Sequence, residues 1–225
     1  MRTRVKICGM TRPEDLATAI EAGADAVGLI FYPKSKRYVT VEHAARLRRA
    51  VPAFVDVVAL FVNAADDDIQ RVLDVVGPDL LQFHGDESPA ACERLGHRYM
   101  KAFRVGGPGA ETASKLASTC AGFRGAAGWL FDSYSAGYGG SGLAFEHSML
   151  REVQADRLSA PVILSGGLSP ANVQAAVAAL RPYAVDVSSG VEESPGIKSA
   201  ARIHDFLAAV RRADAERVAT DRTPA

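Results

Sequence analysis

Only three cysteines occur in 225 residues: Cys8, Cys92 and Cys120. An odd count without C-x-x-C spacing offers neither a disulfide framework nor a zinc ribbon, and it suits a reducing, cytoplasmic setting. Net charge is lacking too, since 26 Lys plus Arg balance 26 Asp plus Glu. No basic field exists to draw the chain onto nucleic acid or an anionic membrane. Apolar runs such as "VVALFV" (57–62) fall far short of the ~18 residues that a membrane span needs. The opening "MRTRVKICGM" has basic residues but no apolar stretch of a secretory signal. H-x-x-x-H and H-E-x-x-H spacings are missing, and strand-end carboxylates are too few for a magnesium site, so no metal is expected. No Pro/Ser tract or shift in composition divides the chain.

What is present is a repeating pattern. Short β-branched runs recur eight times: "RVKIC" (4–8), "DAVGLIF" (25–31), "VDVVALFV" (55–62), "DLLQFH" (79–84), "RYMKAFRV" (98–105), "GWLFDS" (128–133), "PVILSG" (161–166) and "AVDVSSG" (184–190). Most are continuously apolar rather than alternating, as parallel strands covered on both faces are. Helix-like segments separate them. In "TRPEDLATAIEAG", Thr11 and Glu14 read as a capping box and Gly23 as the stop. In "SPANVQAAVAAL", Ser169 reads as N-cap with Pro170 at the first helical position. Ile203, Phe206, Leu207 and Val210 make the i, i+3, i+4, i+7 stripe of a final amphipathic helix. Strand then helix, eight times, predicts a single-domain α/β fold, the (β/α)8 or TIM barrel, over residues 1–212. Residues 213–225 read as a polar C-terminal tail. The competing open, doubly wound sheet would usually show a dinucleotide fingerprint after its first strand, which "CGMTRPED" lacks.

Such barrels work at the C-terminal ends of their strands. The polar residues there are Cys8, Arg37, Asn63, His84, Arg104, Asp132, Ser165 and Ser188. Two late loops, "LSGGLSPAN" (164–172) and "VSSGVEESPGIK" (187–198), are rich in small residues. Together, after strands seven and eight, they read as a phosphate site built from backbone N–H groups and a helix start. The plainer alternative is that these glycines only make turns. Cys92 and Cys120 fall in helical segments and read as packing. Cys8 ends strand one. A free thiol is only ~3% ionised at neutral pH, so it needs nearby cations or dipoles to act as a base. Asp132 follows three apolar residues at the end of strand six, where a carboxylate is costly unless paired or functional. The glycine-rich "AGYGGSG" behind it reads as a mobile lid. Lys6 shares the strand parity of Cys8, and Asp186 is its expected partner across the closure of the barrel.

The motifs "KICGMTRPEDLATAIEAGADAVGLIFYPKSKRYV", "ALFVN", "LLQFHGDE", "LFDSYSAGYGGSG", "PVILSGGLSPANVQAAV" and "VDVSSGVEESPGIK", in this order, resemble the phosphoribosylanthranilate isomerases of tryptophan biosynthesis over about residues 4–210. The resemblance implies an Amadori rearrangement of N-(5-phospho-β-ribosyl)anthranilate without a cofactor. It implies Cys8 as general base, Asp132 as general acid, and Arg37, Gln82 and His84 as substrate-binding residues, Arg37 at the anthranilate end. Phosphate would be held by Gly166, Gly167, Ser188, Ser189 and Gly190. The partner is then a small phosphorylated sugar-anthranilate, with no nucleic acid and no membrane, and the chain is expected as a cytoplasmic monomer. Two rivals stand beside this: a histidine-pathway or bifunctional phosphoribosyl isomerase of the same fold, and a non-catalytic phosphate-binding barrel.

Overall fold

The computed structural model describes residues 1–133, 147–156 and 158–222. Eight strands close into a parallel barrel, each bonded to the next and β8 to β1. They are β1 (Arg4–Cys8), β2 (Ala26–Ile30), β3 (Asp56–Phe61), β4 (Leu80–Phe83), β5 (Tyr99–Val105), β6 (Gly128–Ser133), β7 (Val162–Leu164) and β8 (Ala184–Val187). The helices between and after them are α1 (Pro13–Ala22), α2 (Val41–Arg49), α3 (Asp66–Val76), α4 (Pro89–Glu93), α5 (Ala113–Ala121), α6 (Arg151–Ala155), α7 (Val173–Leu180) and α8 (Ala200–Arg222). After β8 a small hairpin forms from β9 (Glu192–Ser194) and β10 (Ile197–Lys198).

Strand parity divides the apolar residues into two cores. Val5, Ile7, Val27, Leu29, Phe61, Phe83, Trp129, Phe131 and Val185 face the helices in one large cluster. Val58, Met100, Ala102, Leu130, Ile163 and Ala184 fill the barrel. That alternation is why the strands read as continuously apolar. On β6 the outer residues hold the strand in place. Phe131 stacks on Phe103 at 5.6 Å, and Trp129 Nε1 donates to Phe123 O at 2.9 Å. Each such aromatic pair adds about 0.5–1.5 kcal/mol beyond its buried area. The inner residues of β6 then fall in line, with Leu130 in the barrel core and Asp132 above it at the mouth.

Three local expectations change. Helix α1 starts at Pro13 with Arg12 as N-cap and no side-chain cap. The helix starts one residue later than a Thr11–Glu14 capping box requires, so Thr11 falls outside it and its hydroxyl donates to Gly196 O, while Arg12 pairs with Asp15. Helix α7 starts at Val173 with Asn172 as N-cap. The Ser169 carbonyl does accept from Asn172 N and Val173 N, but the N-cap residue Asn172 makes no side-chain cap; its Oδ1 accepts from Ser169 N at 2.8 Å instead. The segment read as a polar tail continues α8 through Arg222. Asp214 fastens it to the start of the chain, accepting from Thr3 N at 2.7 Å and Thr3 Oγ1 at 2.8 Å. Gly23 ends α1 in the left-handed conformation as expected. The "AGYGGSG" stretch lies outside the described residues.

Candidate active site

A cavity of about 700 Å³ opens at the C-terminal mouth of the barrel. Its wall includes Cys8, Arg37, Gln82, His84, Asp132, Gly166, Gly167, Ser188 and Ser189. Nine of the ten residues singled out in the sequence thus meet around one space. The tenth, Gly190, lies behind the wall, where a Cβ would stand 1.9 Å from Leu168 O. Its smallness lets the two late loops press together; it does not face the cavity. Tyr32, Ile30, Leu60 and Val62 supply an apolar side next to Cys8.

Cys8 is the last residue of β1 and buried. Gly28 sits beside it on β2, and a Cβ there would meet Cys8 Sγ at 2.8 Å and Lys6 Nζ at 3.1 Å. The missing side chain is what lets thiol and ammonium share the barrel interior. Lys6 donates to Asp186 Oδ1 at 2.9 Å, the expected pair, with the two residues opposite each other in the β1–β8 register. Burial works against the charge of Lys6, but Asp186 and Cys8 outweigh it and raise its pKa. Burial pushes the Cys8 thiol up, against the pull of Lys6 and Lys198. The expected lowering by nearby cations is therefore overcome by desolvation, and the resting residue holds its proton more tightly than a free thiol. Cys92 and Cys120 are buried packing residues, as read; burial raises Cys92 to about 12 and drives Cys120 up as well.

Asp132 reaches the mouth from β6. Its Oδ1 accepts from Ser133 N at 2.8 Å, and its Oδ2 lies 3.3 Å from His84 Nε2. Gly166, at φ +81°, comes so close that a Cβ would stand 2.5 Å from Ser133 N and 2.9 Å from Asp132 Oδ1. A glycine read as a phosphate ligand thus also makes room for the carboxylate. No hydrogen bond joins Cys8 to Asp132; β7 and β8 separate their strands on one side of the ring.

Sequence reasoning missed the support beneath Arg37. Glu192 grips that guanidinium with two bonds of 2.7 Å, through Nε and Nη2. Glu192 Oε1 also accepts from Lys198 Nζ at 2.9 Å, and the same ammonium donates to Cys8 O at 2.6 Å and Ser188 O at 3.2 Å. Lys198 therefore ties the end of β1 to the loop after β8. Burial lowers the pKa of Lys198 despite Glu192, while the Arg37 hydrogen bond and Lys198 hold Glu192 down against its own burial. The "VEESPGIK" segment holds both Glu192 and Lys198, but their purpose shows only once the β9–β10 hairpin brings them to Arg37 and the end of β1.

Among the described residues no helix is long and apolar enough to cross a membrane. The family model for N-(5'-phosphoribosyl)anthranilate (PRA) isomerase matches residues 5–209. A curated N-(5'-phosphoribosyl)anthranilate isomerase of Bordetella pertussis is 62% identical over 214 residues, spanning 95% of this chain and 98% of its own. One from Bordetella petrii is 64% identical over 95% and 97%. The solved phosphoribosyl anthranilate isomerase of Thermotoga maritima superposes with a TM-score of 0.84 at 38% identity, covering 93% of this chain and 99% of its own. A further isomerase structure, in complex with reduced 1-(o-carboxyphenylamino)-1-deoxyribulose 5-phosphate, gives 0.80 at 35% identity over 93% and 99%. With the barrel closed, the mouth built and these likenesses running nearly end to end, the chain belongs to the N-(5'-phosphoribosyl)anthranilate isomerase family.

Proposed function

We propose that this chain converts N-(5-phospho-β-ribosyl)anthranilate to 1-(2-carboxyphenylamino)-1-deoxyribulose 5-phosphate, the Amadori step of tryptophan biosynthesis. The observation that carries the reading is the meeting of Cys8, Asp132, Arg37 and the two glycine loops around one cavity. Asp132 gives a proton to the furanose ring oxygen. The C1–O bond breaks, the ring oxygen leaves as a hydroxyl, and nitrogen supplies the electron pair for a protonated Schiff base. Cys8 acts as its thiolate, its own proton having first passed to solvent, and takes the C2 proton; the freed pair forms an enolamine. Tautomerisation moves a proton to C1 and leaves a ketone at C2. Both catalytic steps are proton transfers by positioned groups. A thiolate made in a dry site is a stronger base than one in water, which suits removal of a proton from carbon.

Backbone N–H groups of Gly166, Gly167, Ser188 and Ser189 would hold the phosphate, where they border the cavity. Arg37 Nη1 is not used by Glu192 and would meet the anthranilate carboxylate. The test is steady-state turnover of this aminoaldose by Cys8→Ala and Asp132→Asn, each expected to lose at least ~10²-fold in kcat with an unchanged melting midpoint. Near-normal turnover of Cys8→Ala would leave the thiol as packing alone. Turnover of the histidine-pathway aminoaldose in its place would assign the chain to that rival.

The working unit is proposed to be a monomer in the cytoplasm. All three thiols are unpaired and buried, so none is offered to a disulfide between copies. Phe54, fully exposed at the opposite end of the barrel, is the feature that argues the other way, and the Thermotoga maritima isomerase is described as dimeric. Sedimentation velocity at assay concentration decides, a dimer overturning the monomer.

A further inference from the structure

Gln82 is fully buried inside the barrel, opposite Leu60 on β3 and Met100 on β5. A leucine would fill that place with no polar atom to satisfy. The amide is also only half used: Gln82 Nε2 lies 2.9 Å from His84 Nδ1, whereas Gln82 Oε1 has no hydrogen-bond partner among the described residues. A buried amide carbonyl without a partner is a standing cost, so the side chain is held for its N–H. The other nitrogen of the same imidazole, Nε2, lies 3.3 Å from Asp132 Oδ2. Three side chains from β4, the residue after it and β6 thus stand in a row, although β5 separates the two strands.

The proton positions along this row follow from valence. An amide N–H only donates, and Asp132 only accepts in the ionised form that it takes once its proton has gone to the substrate. A neutral imidazole between them satisfies both neighbours in one tautomer, with a bare Nδ1 toward Gln82 and the proton on Nε2 toward Asp132. The opposite amide orientation would place Oε1 against Nδ1–H and then demand a second proton on the ring.

We propose that Gln82 and His84 are positioning residues for the acid: Gln82 fixes the imidazole tautomer, and His84 Nε2–H steadies the carboxylate that Asp132 becomes once it has given up its proton. This rests on the isomerase reading above and changes the role of both residues within it, from substrate contacts to support for Asp132. The carboxylate then has a partner at both oxygens, the hydrogen bond from Ser133 N at Oδ1 and His84 Nε2 3.3 Å from Oδ2. Because negative charge on Asp132 appears only as the sugar ring opens, the support acts on kcat and leaves binding alone.

Kinetics and spectroscopy test this separately. His84→Phe should lower kcat about 10- to 100-fold, the worth of one hydrogen bond to a charged group, with KM within about twofold. His84→Gln, which again offers an N–H toward Asp132, should recover most of that loss. Gln82→Met should lower kcat in the wild-type background and have no further effect in His84→Phe, because the two act as one unit. In 15N-labelled wild-type protein with Asp132 ionised, the His84 ring should carry its proton on Nε2, and Gln82→Met should let the tautomers mix. A KM effect at constant kcat, an equal Gln82→Met loss in both backgrounds, or a neutral ring protonated on Nδ1 beside ionised Asp132 would each overturn the proposal. A wild type without turnover would overturn the isomerase reading instead, and the tautomer measurement would still decide the role of the pair.

Discussion

Replacing Lys6 by methionine keeps the reach of the side chain and deletes its charge. What it strands is Asp186, whose carboxylate has the Lys6 ammonium at 2.9 Å as its one hydrogen-bonded partner among the described residues; the two side chains are 5% and 6% exposed. Removing one half of a buried pair costs about 3–5 kcal/mol, because the other half stays behind without a counter-charge. Asp186 borders the cavity, where solvent reaches the orphaned carboxylate, so the lower end applies. For a chain of this size about 3 kcal/mol corresponds to a fall of roughly 6–12 °C in Tm. The double variant Lys6→Met/Asp186→Leu should regain most of the stability, as apolar replacements of whole buried pairs do. Urea unfolding followed by circular dichroism measures both. Loss of the Lys6 pull on Cys8 should also lower kcat. A single variant that melts within ~1 kcal/mol of wild type, or a double variant as unstable as the single, would refute the argument that the charge pair is a coupled unit.

Arg37→Ala should chiefly raise KM, because its charge contact to the substrate changes little during reaction; a fall in kcat at constant KM would contradict this. Glu192 has a folded pKa held below its unfolded value by the Arg37 hydrogen bond and Lys198, despite burial. Its contribution is therefore present above the unfolded pKa and lost as pH falls through the folded one. Glu192→Gln should flatten the acid limb of a Tm-against-pH curve, and an unchanged limb would count against the linkage. Gly28→Ala would place a methyl 2.8 Å from Cys8 Sγ; it should cost about 1–3 kcal/mol as an overpacked core does and lower kcat, which thermal melts and turnover read side by side.

Much of the fold was legible because parallel strands buried on both faces must be apolar throughout, and all eight runs became barrel strands. Cys8 and Asp132 were legible because each breaks an apolar run at a strand end. Lys6 and Asp186 were legible from parity and ring closure. What failed was local chemistry decided at long range. Thr11 stands one position before the N-cap of α1 and donates to Gly196, 185 residues on. The polar residues 213–222 stay helical because Asp214 meets Thr3, 211 residues back. Glu192 and Lys198 carry no strand-end signal, and the spacing of Gln82 from Asp132 gives no hint that an imidazole bridges them.

The Lys6–Asp186 pair spans 180 residues of sequence, and that separation has a consequence during synthesis. At roughly 5–20 residues per second, Asp186 leaves the ribosome about 10–40 s after Lys6. Until then the ammonium has no counter-charge and must stay in water, so the nascent sheet cannot close over it. Asp132 on β6 is a further buried carboxylate that faces the interior, but it stands at the cavity rather than beside Lys6. The closure of β1 on β8 is what brings a carboxylate level with the ammonium. A ring that closed with Lys6 unpaired in the core would carry a penalty of about 3–5 kcal/mol, so the pair favours the correct order of strands.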